Sequence, residues 1–179
     1  MSEENQYDLV VVGGGPAGSS AAWSAAKNGI NVALIEKENS IAETVRTSGV
    51  TWIQSIKEFG IPENCYNPIK NFTFCSPNNE ITIKDSVSRA AVLDVRKTYR
   101  WLAKKAENAG ADIFIKTSIN GVIKNDNGDI VGVSGVGPKG EITFHSKMII
   151  DASGFSSTIC KAMGFVTQWE RFGAGAEWE

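Results

Sequence analysis

An α/β fold built on a parallel sheet is predicted for this chain by three observations. Two short apolar runs, over 7–12 and 31–36, flank an alanine-rich stretch of helical composition at 17–28. Gly13-Gly14-Gly15-Pro16-Ala17-Gly18 separates the first run from that helix. From residue 112 onward the pattern changes to closely spaced strands with no helix between them. Short apolar runs bounded by glycine read as strands buried on both faces of a parallel sheet. Strand, helix and strand within roughly thirty residues make a βαβ unit.

Each element has its own signal. Alanine is a strong helix former, and Gly29 stands where a helix C-cap is expected. Periodicity fades over 37–48, and 51–59 reads as a short helix stopped by Gly60 and Pro62. Strands over 71–76 and 80–84 are joined by the turn Pro77-Asn78-Asn79. A long helix is predicted over 94–109, where Val95, Tyr99, Leu102 and Ala106 recur at helical spacing and Gly110 closes the end. Strands follow at 112–116, 119–124, 130–135, 141–145 and 148–151, with turns at 125–129 and 138–140. The middle three form an antiparallel β-meander inserted before a final buried strand. A plain doubly wound nicotinamide domain would instead keep alternating strand and helix.

Composition excludes several function classes. With 42% hydrophobic and 21% charged residues, the 179-residue chain is an ordinary globular protein. Eighteen basic and twenty acidic residues leave a net charge of -2, so no field gathers nucleic acid or holds an anionic membrane. Cys65, Cys75 and Cys160 fit neither a disulfide framework nor a zinc site, which points to a reducing, cytoplasmic compartment. The N-terminus lacks a basic n-region, and the apolar run at 9–12 is too short to cross a bilayer. Asn71-Phe72-Thr73 matches a glycosylation triplet but has no meaning without a secretory route. No His and carboxylate cluster has metal-ligand spacing. His145, the single histidine, reads as a half-exposed structural residue on a meander strand, which leaves a Ser-His hydrolase unsupported. Lys97, Arg100, Lys104 and Lys105 read as the solvated face of the long helix.

The chemistry lies in the glycines. Gly13, Gly15 and Gly18 form G-x-G-x-x-G directly after a predicted strand and at the opening of a predicted helix, with Pro16 and Ala17 between the last two. The first permits a tight turn, the second lets a pyrophosphate approach the backbone, and the third lets helix and strand pack closely. The helix N-terminus adds free N–H groups and partial positive charge. Glu36 ends the second strand about twenty residues on, where a carboxylate accepts hydrogen bonds from an adenosine ribose and repels a 2′-phosphate. NADP is thereby disfavoured, while NAD and FAD both remain.

The segment 10–18 followed by Glu36-Lys37 resembles the start of the FAD-dependent family related to glutathione reductase and p-hydroxybenzoate hydroxylase. Leu93-Asp94-Val95-Arg96-Lys97 and the residues after it are similar to the helix whose arginine contacts the flavin dinucleotide, which implies that role for Arg96. Residues 149–157 resemble the family's second FAD motif, with Asp151, Ala152, Ser153 and Gly154 near the cofactor; Ser153 replaces the customary aspartate of an Asp-Gly pair. Arg46-Thr47-Ser48-Gly49 corresponds to a segment that passes near the flavin, so Arg46 could meet phosphate and Gly49 could present its N–H to the ring. Some members carry a cysteine there, and this chain does not.

Asp151 to Gly154 and the closing residues 173–179 look most like the geranylgeranyl reductase group, which saturates isoprenoid double bonds. The resemblance implies a Rossmann-type FAD-binding domain over 1–164 and the truncated start of a substrate domain over 165–179. It also implies a third FAD motif further on, so that the chain is an N-terminal fragment. The implied partners are an isoprenoid lipid or other small-molecule substrate and an electron donor, NAD(P)H or ferredoxin, with at most peripheral membrane contact. No catalytic residue is assigned. The alternatives are a flavin monooxygenase or halogenase, and a non-catalytic FAD-binding module.

Overall fold

The computed structural model describes residues 3–165, and these fall into two compact units: residues up to Glu43 with those from Tyr99 onward, and Thr44–Thr98. The expected boundary at 164/165 falls where the described residues end, and 166–179 lie outside them. In chain order the elements are β1 (Glu3–Val12), α1 (Pro16–Lys27), β2 (Val32–Ile35), β3 (Val50–Trp52), α2 (Ile53–Phe59), β4 (Tyr66–Ile69), β5 (Asn71–Cys75) and β6 (Glu80–Lys84). They continue as β7 (Ala90–Leu93), α3 (Val95–Asn108), β8 (Asp112–Phe114), β9 (Ser118–Lys124), β10 (Ile130–Gly137), β11 (Gly140–Asp151) and α4 (Thr158–Ala162).

The first unit holds a six-stranded mixed sheet of order β8-β2-β1-β11-β10-β9, with the first four strands parallel and the last two antiparallel. β2 and the 9–12 part of β1 are covered on both faces, which is why they read as unbroken apolar runs. Leu9, Val11, Val32 and Leu34 pack with Ala22 and Ala26 of α1 and Ala106 of α3. Val10, Val12, Ala33 and Ile35 pack on the other face with Phe144 and Ile159. The N–H groups of Asp8 and Leu9 both donate to the Asn31 carbonyl, at 3.0 and 3.1 Å. This irregularity resets the alternation, so Tyr7 shares a face with Val10 and Val12. The Tyr7 hydroxyl donates to Asp112 Oδ2 at 2.9 Å; burial first, then that hydrogen bond and the nearby negative charge, push the phenol above its ordinary range.

The meander differs from the expected insertion in one respect: β11 is both its last strand and the fourth parallel strand. The two strands predicted at 141–145 and 148–151 are one, because β1 runs beside β11 from Ile142 to Asp151 and carries the ladder through His145-Ser146-Lys147. His145 is half-buried there. The same pairing extends β1 back to Glu3, through polar residues with no strand pattern of their own.

In the second unit β3, β7 and β4 form a three-stranded antiparallel sheet, and β5 and β6 a hairpin. Residues 50–52 are strand rather than the start of the predicted helix, since Val50-Thr51-Trp52 pairs with Ala90–Val92. β4 and β7 lacked a sequence signal. Pro68 argues against a strand, but β4 is an edge strand, where a missing N–H is tolerated. Gly60 ends α2 in the left-handed region, at φ +63°. At the start of α3 the Lys97 N–H donates to Asp94 Oδ1 at 3.0 Å, an N-cap contact. Among the described residues no helix is long and apolar enough to cross a membrane.

Candidate functional site: the glycine turn and its supports

In the first unit, β1 ends at Val12 and Pro16 opens α1, with its fixed φ suited to the first helical position. Gly13 has φ +112°, and a Cβ there would lie 2.3 Å from the Ala152 carbonyl oxygen. A Cβ on Gly18 would lie 1.8 Å from the Gly13 oxygen and 3.2 Å from Ala152 Cβ. Ala152 donates its N–H to the Val12 carbonyl at 2.8 Å. Gly13, Gly18 and Ala152 thus form one close-packed junction between the ends of β1, β11 and α1. Only the smallest side chains fit.

Gly15 is different: a Cβ there would meet nothing within 4 Å. Its φ is -70°, so conformation does not require glycine. Beside this open position the first intrahelical bond runs from the Ser19 N–H to the Gly15 carbonyl, at 2.9 Å. The N–H groups of Ala17 and Gly18 precede it and have no partner four residues back in the helix. Open space before unused donors is what an approaching pyrophosphate requires, and these residues fit a dinucleotide.

Glu36 is half-buried and serves the turn as well. Its Oε2 accepts the Gly14 N–H at 2.8 Å and its Oε1 accepts the Glu38 N–H at 2.9 Å. A carboxylate has about four acceptor positions, so capacity remains for ribose hydroxyls. Lys37 is exposed. Glu36→Gln is expected to turn an amide NH2 toward one of these two donors and destabilise the fold by about 1–2 kcal/mol. The measurement is a urea unfolding midpoint, and an unchanged midpoint would show that neither contact matters in solution.

Asp151 is a hub. Its Oδ1 accepts the N–H of Ser153 at 3.0 Å and the Ser153 hydroxyl at 2.5 Å, and its Oδ2 accepts the N–H groups of Ile159 and Cys160, each at 2.9 Å. Ser153 Oγ in turn accepts the Thr158 N–H at 2.8 Å. Burial acts to raise the Asp151 pKa, but the hydrogen bonds from Ser153 and Cys160 outweigh it and hold the carboxyl below its ordinary value. With four donors in place the carboxylate is saturated, so its effect on a ligand is through the turn 152–154 that it holds. Ser153 stands where the family pattern has aspartate, and its hydroxyl ties Asp151 to α4. Gly154 is exposed, with φ +65°.

Arg46, Ser48, Gly49 and Arg96 belong to the second unit. Arg46 and Ser48 are exposed. Gly49 is buried at φ +73°, and a Cβ would lie 2.8 Å from both the Leu93 carbonyl oxygen and Val95 Cγ2. Its carbonyl accepts the Leu93 N–H at 2.9 Å, which places the 46–49 segment beside the start of α3. Arg96 is exposed on the first turn of that helix, near the Asp94 carboxylate. Sequence reasoning missed Ser19 and Ile41. Ser19 is fully buried and its hydroxyl donates to the Gly14 carbonyl at 3.1 Å; its place on the α1 stripe with Ala22 and Ala26 was the available signal. Ile41 lies in a stretch without periodicity, where no signal existed.

The family model for FAD-dependent oxidoreductases matches residues 8–174. A digeranylgeranylglycerophospholipid reductase of Methanocaldococcus jannaschii is 36% identical over 169 residues, covering 92% of this chain and 42% of that protein. An uncharacterized protein in the nifH2 5′ region of Methanosarcina barkeri is 36% identical over 177 residues, covering 92% of this chain and 91% of its own length. Among solved structures, a geranylgeranyl bacteriochlorophyll reductase-like protein from Thermoplasma acidophilum superposes with a TM-score of 0.79 at 31% identity, over 90% of this chain and 42% of that one. The chain therefore spans about two fifths of the length of the reductases it matches. A glycine turn shaped for a dinucleotide, on the fold these proteins share, agrees with that match, and the chain belongs to the FAD-dependent oxidoreductase family.

Proposed function

We propose that this chain is the FAD-binding portion of a reductase that saturates isoprenoid carbon–carbon double bonds in lipids. The observation that carries the reading is the open Gly15 cradle at the N-terminus of α1, in a chain related over most of its length to digeranylgeranylglycerophospholipid reductases. When bound and reduced, FAD would supply the hydride chemistry for adding hydrogen across the alkene, with a proton completing the balance and a donor such as NAD(P)H or ferredoxin restoring the two electrons. The protein's part is position. Gly13, Gly15, Pro16, Ala17 and Gly18 would form the turn that takes the pyrophosphate, Glu36 and Lys37 would hold the adenosine ribose, and Ala152, Ser153 and Gly154, held by Asp151, would line the cofactor as well. Arg46, Ser48, Gly49 and Arg96 are assigned to cofactor binding on the family resemblance. Residues 1–164 are assigned to cofactor binding and 165–179 to the start of a substrate domain. The compartment is cytoplasmic, with peripheral access to a membrane-borne substrate.

The test has two stages. Purified protein is expected to retain FAD with its yellow spectrum; loss of flavin on gel filtration would overturn the reading. With the substrate domain also present, dithionite-reduced holoprotein, incubated without oxygen with digeranylgeranylglycerophospholipid, is expected to add one H2 per double bond by mass spectrometry. Bound flavin without turnover would favour the non-catalytic module, and an oxygenated or halogenated product in air would favour the monooxygenase or halogenase.

A further inference from the structure

The segment after Glu36 has no regular structure, yet it is held firmly within the first unit. The Glu38 N–H goes to Glu36 Oε1, the Lys116 N–H donates to the Glu38 carbonyl at 2.8 Å, and Asn39 binds the Glu43 carboxylate through its backbone N–H and its side-chain amide. Arg100 reaches the middle of the segment from α3. Its Nε donates to the Ile41 carbonyl at 3.2 Å and its Nη2 to Ser40 Oγ at 3.3 Å. Arg100 is exposed, as its place on the solvated face of α3 predicts, and its guanidinium also reaches this segment. Ile41 is buried at 8% exposure, and its Cδ1 would lie 2.4 Å from a Cβ built on Gly14. The Gly14 N–H is the group that binds Glu36 Oε2. A chain of contacts thus runs from Arg100 through Ile41 to Gly14 and the Glu36 carboxylate.

We infer that Arg100 is a positioning residue for the adenosine half of the FAD site, acting by clamping Ile41 over the Gly14–Glu36 corner. This rests on the reading that the glycine turn and Glu36 bind FAD. A planar guanidinium suits the role because two of its N–H groups point in fixed directions to two acceptors. A lysine ammonium lacks that fork.

The experiment compares FAD dissociation constants of the full chain and its Arg100→Ala, Arg100→Lys, Ile41→Ala and Arg100→Ala/Ile41→Ala variants, by flavin fluorescence. Arg100→Ala is expected to weaken FAD three- to tenfold, with Arg100→Lys recovering little of it. The inhibition constant of ADP, which carries the adenosine half alone, is expected to rise by the same factor. Melting of the ligand-free protein is expected to shift by no more than about 2 °C, as for a surface substitution. The double variant is expected to be no weaker than Ile41→Ala alone, since both act through one contact. Unchanged FAD and ADP affinities in Arg100→Ala would overturn the inference and leave the FAD reading standing, and so would additive losses in the double variant. A wild-type chain without FAD affinity would overturn both.

Discussion

Gly18→Ala is expected to cost the protein its FAD affinity and several degrees of melting temperature together. The added methyl would sit 1.8 Å from the Gly13 carbonyl oxygen, well inside contact distance, and that atom is backbone. The helix and the turn must therefore part, which breaks the junction with Ala152. Overpacking of this kind costs about 1–3 kcal/mol or more, equal to a fall of roughly 2–12 °C for a chain of this size. A fluorescence titration should show FAD binding at least a hundredfold weaker. Gly15→Ala is the internal control, because its Cβ has open space around it and an ordinary φ. It is expected to melt with the parent while binding FAD at least tenfold more weakly, since the methyl occupies the cradle. If Gly15→Ala binds FAD as well as the parent does, the pyrophosphate does not lie there. If Gly18→Ala melts with the parent, the close packing is not maintained in solution.

Asp151→Asn is expected to be the most damaging single change outside the glycines. One amide oxygen replaces two carboxylate oxygens, and the new NH2 group faces either the Ser153 donors or the Ile159 and Cys160 N–H groups. Leaving two donors unpaired costs on the order of 2–4 kcal/mol. The effect has a pH signature with a definite sign. The Asp151 pKa is lowered in the folded protein from an unfolded value of 3.8, so the folded state favours the charged form. Its contribution is complete above the unfolded pKa and is lost as pH falls through the lower folded value. The melting difference between wild type and Asp151→Asn should therefore be constant from pH 7 to about 5, shrinking below pH 4 toward the folded pKa. Other carboxylates, Asp94 among them, are also lowered, so both proteins weaken in acid and only the difference isolates Asp151. A difference that persists unchanged to pH 2.5 would show that the carboxylate charge is not what holds this turn.

The βαβ unit, the glycine turn and the acid at its far strand were legible along the chain. Those features are local: strands buried on both faces must be apolar throughout, the turn needs glycine at fixed offsets, and the helix needs a C-cap. The α3 helix and the β5–β6 hairpin were legible for the same reason. The rest depended on contacts between distant segments. β11 is a single long strand because β1 lies beside it, and β4 contains a proline because an edge tolerates one. The second and third glycines of the motif also parted company there. Gly18 is required by the Gly13 carbonyl and Ala152, which is 134 residues away in sequence, whereas Gly15 is required by nothing in the protein and stands open. Asp151, Ile41 and Arg100 gained their roles through contacts between distant segments, and no periodicity along the chain encodes such contacts.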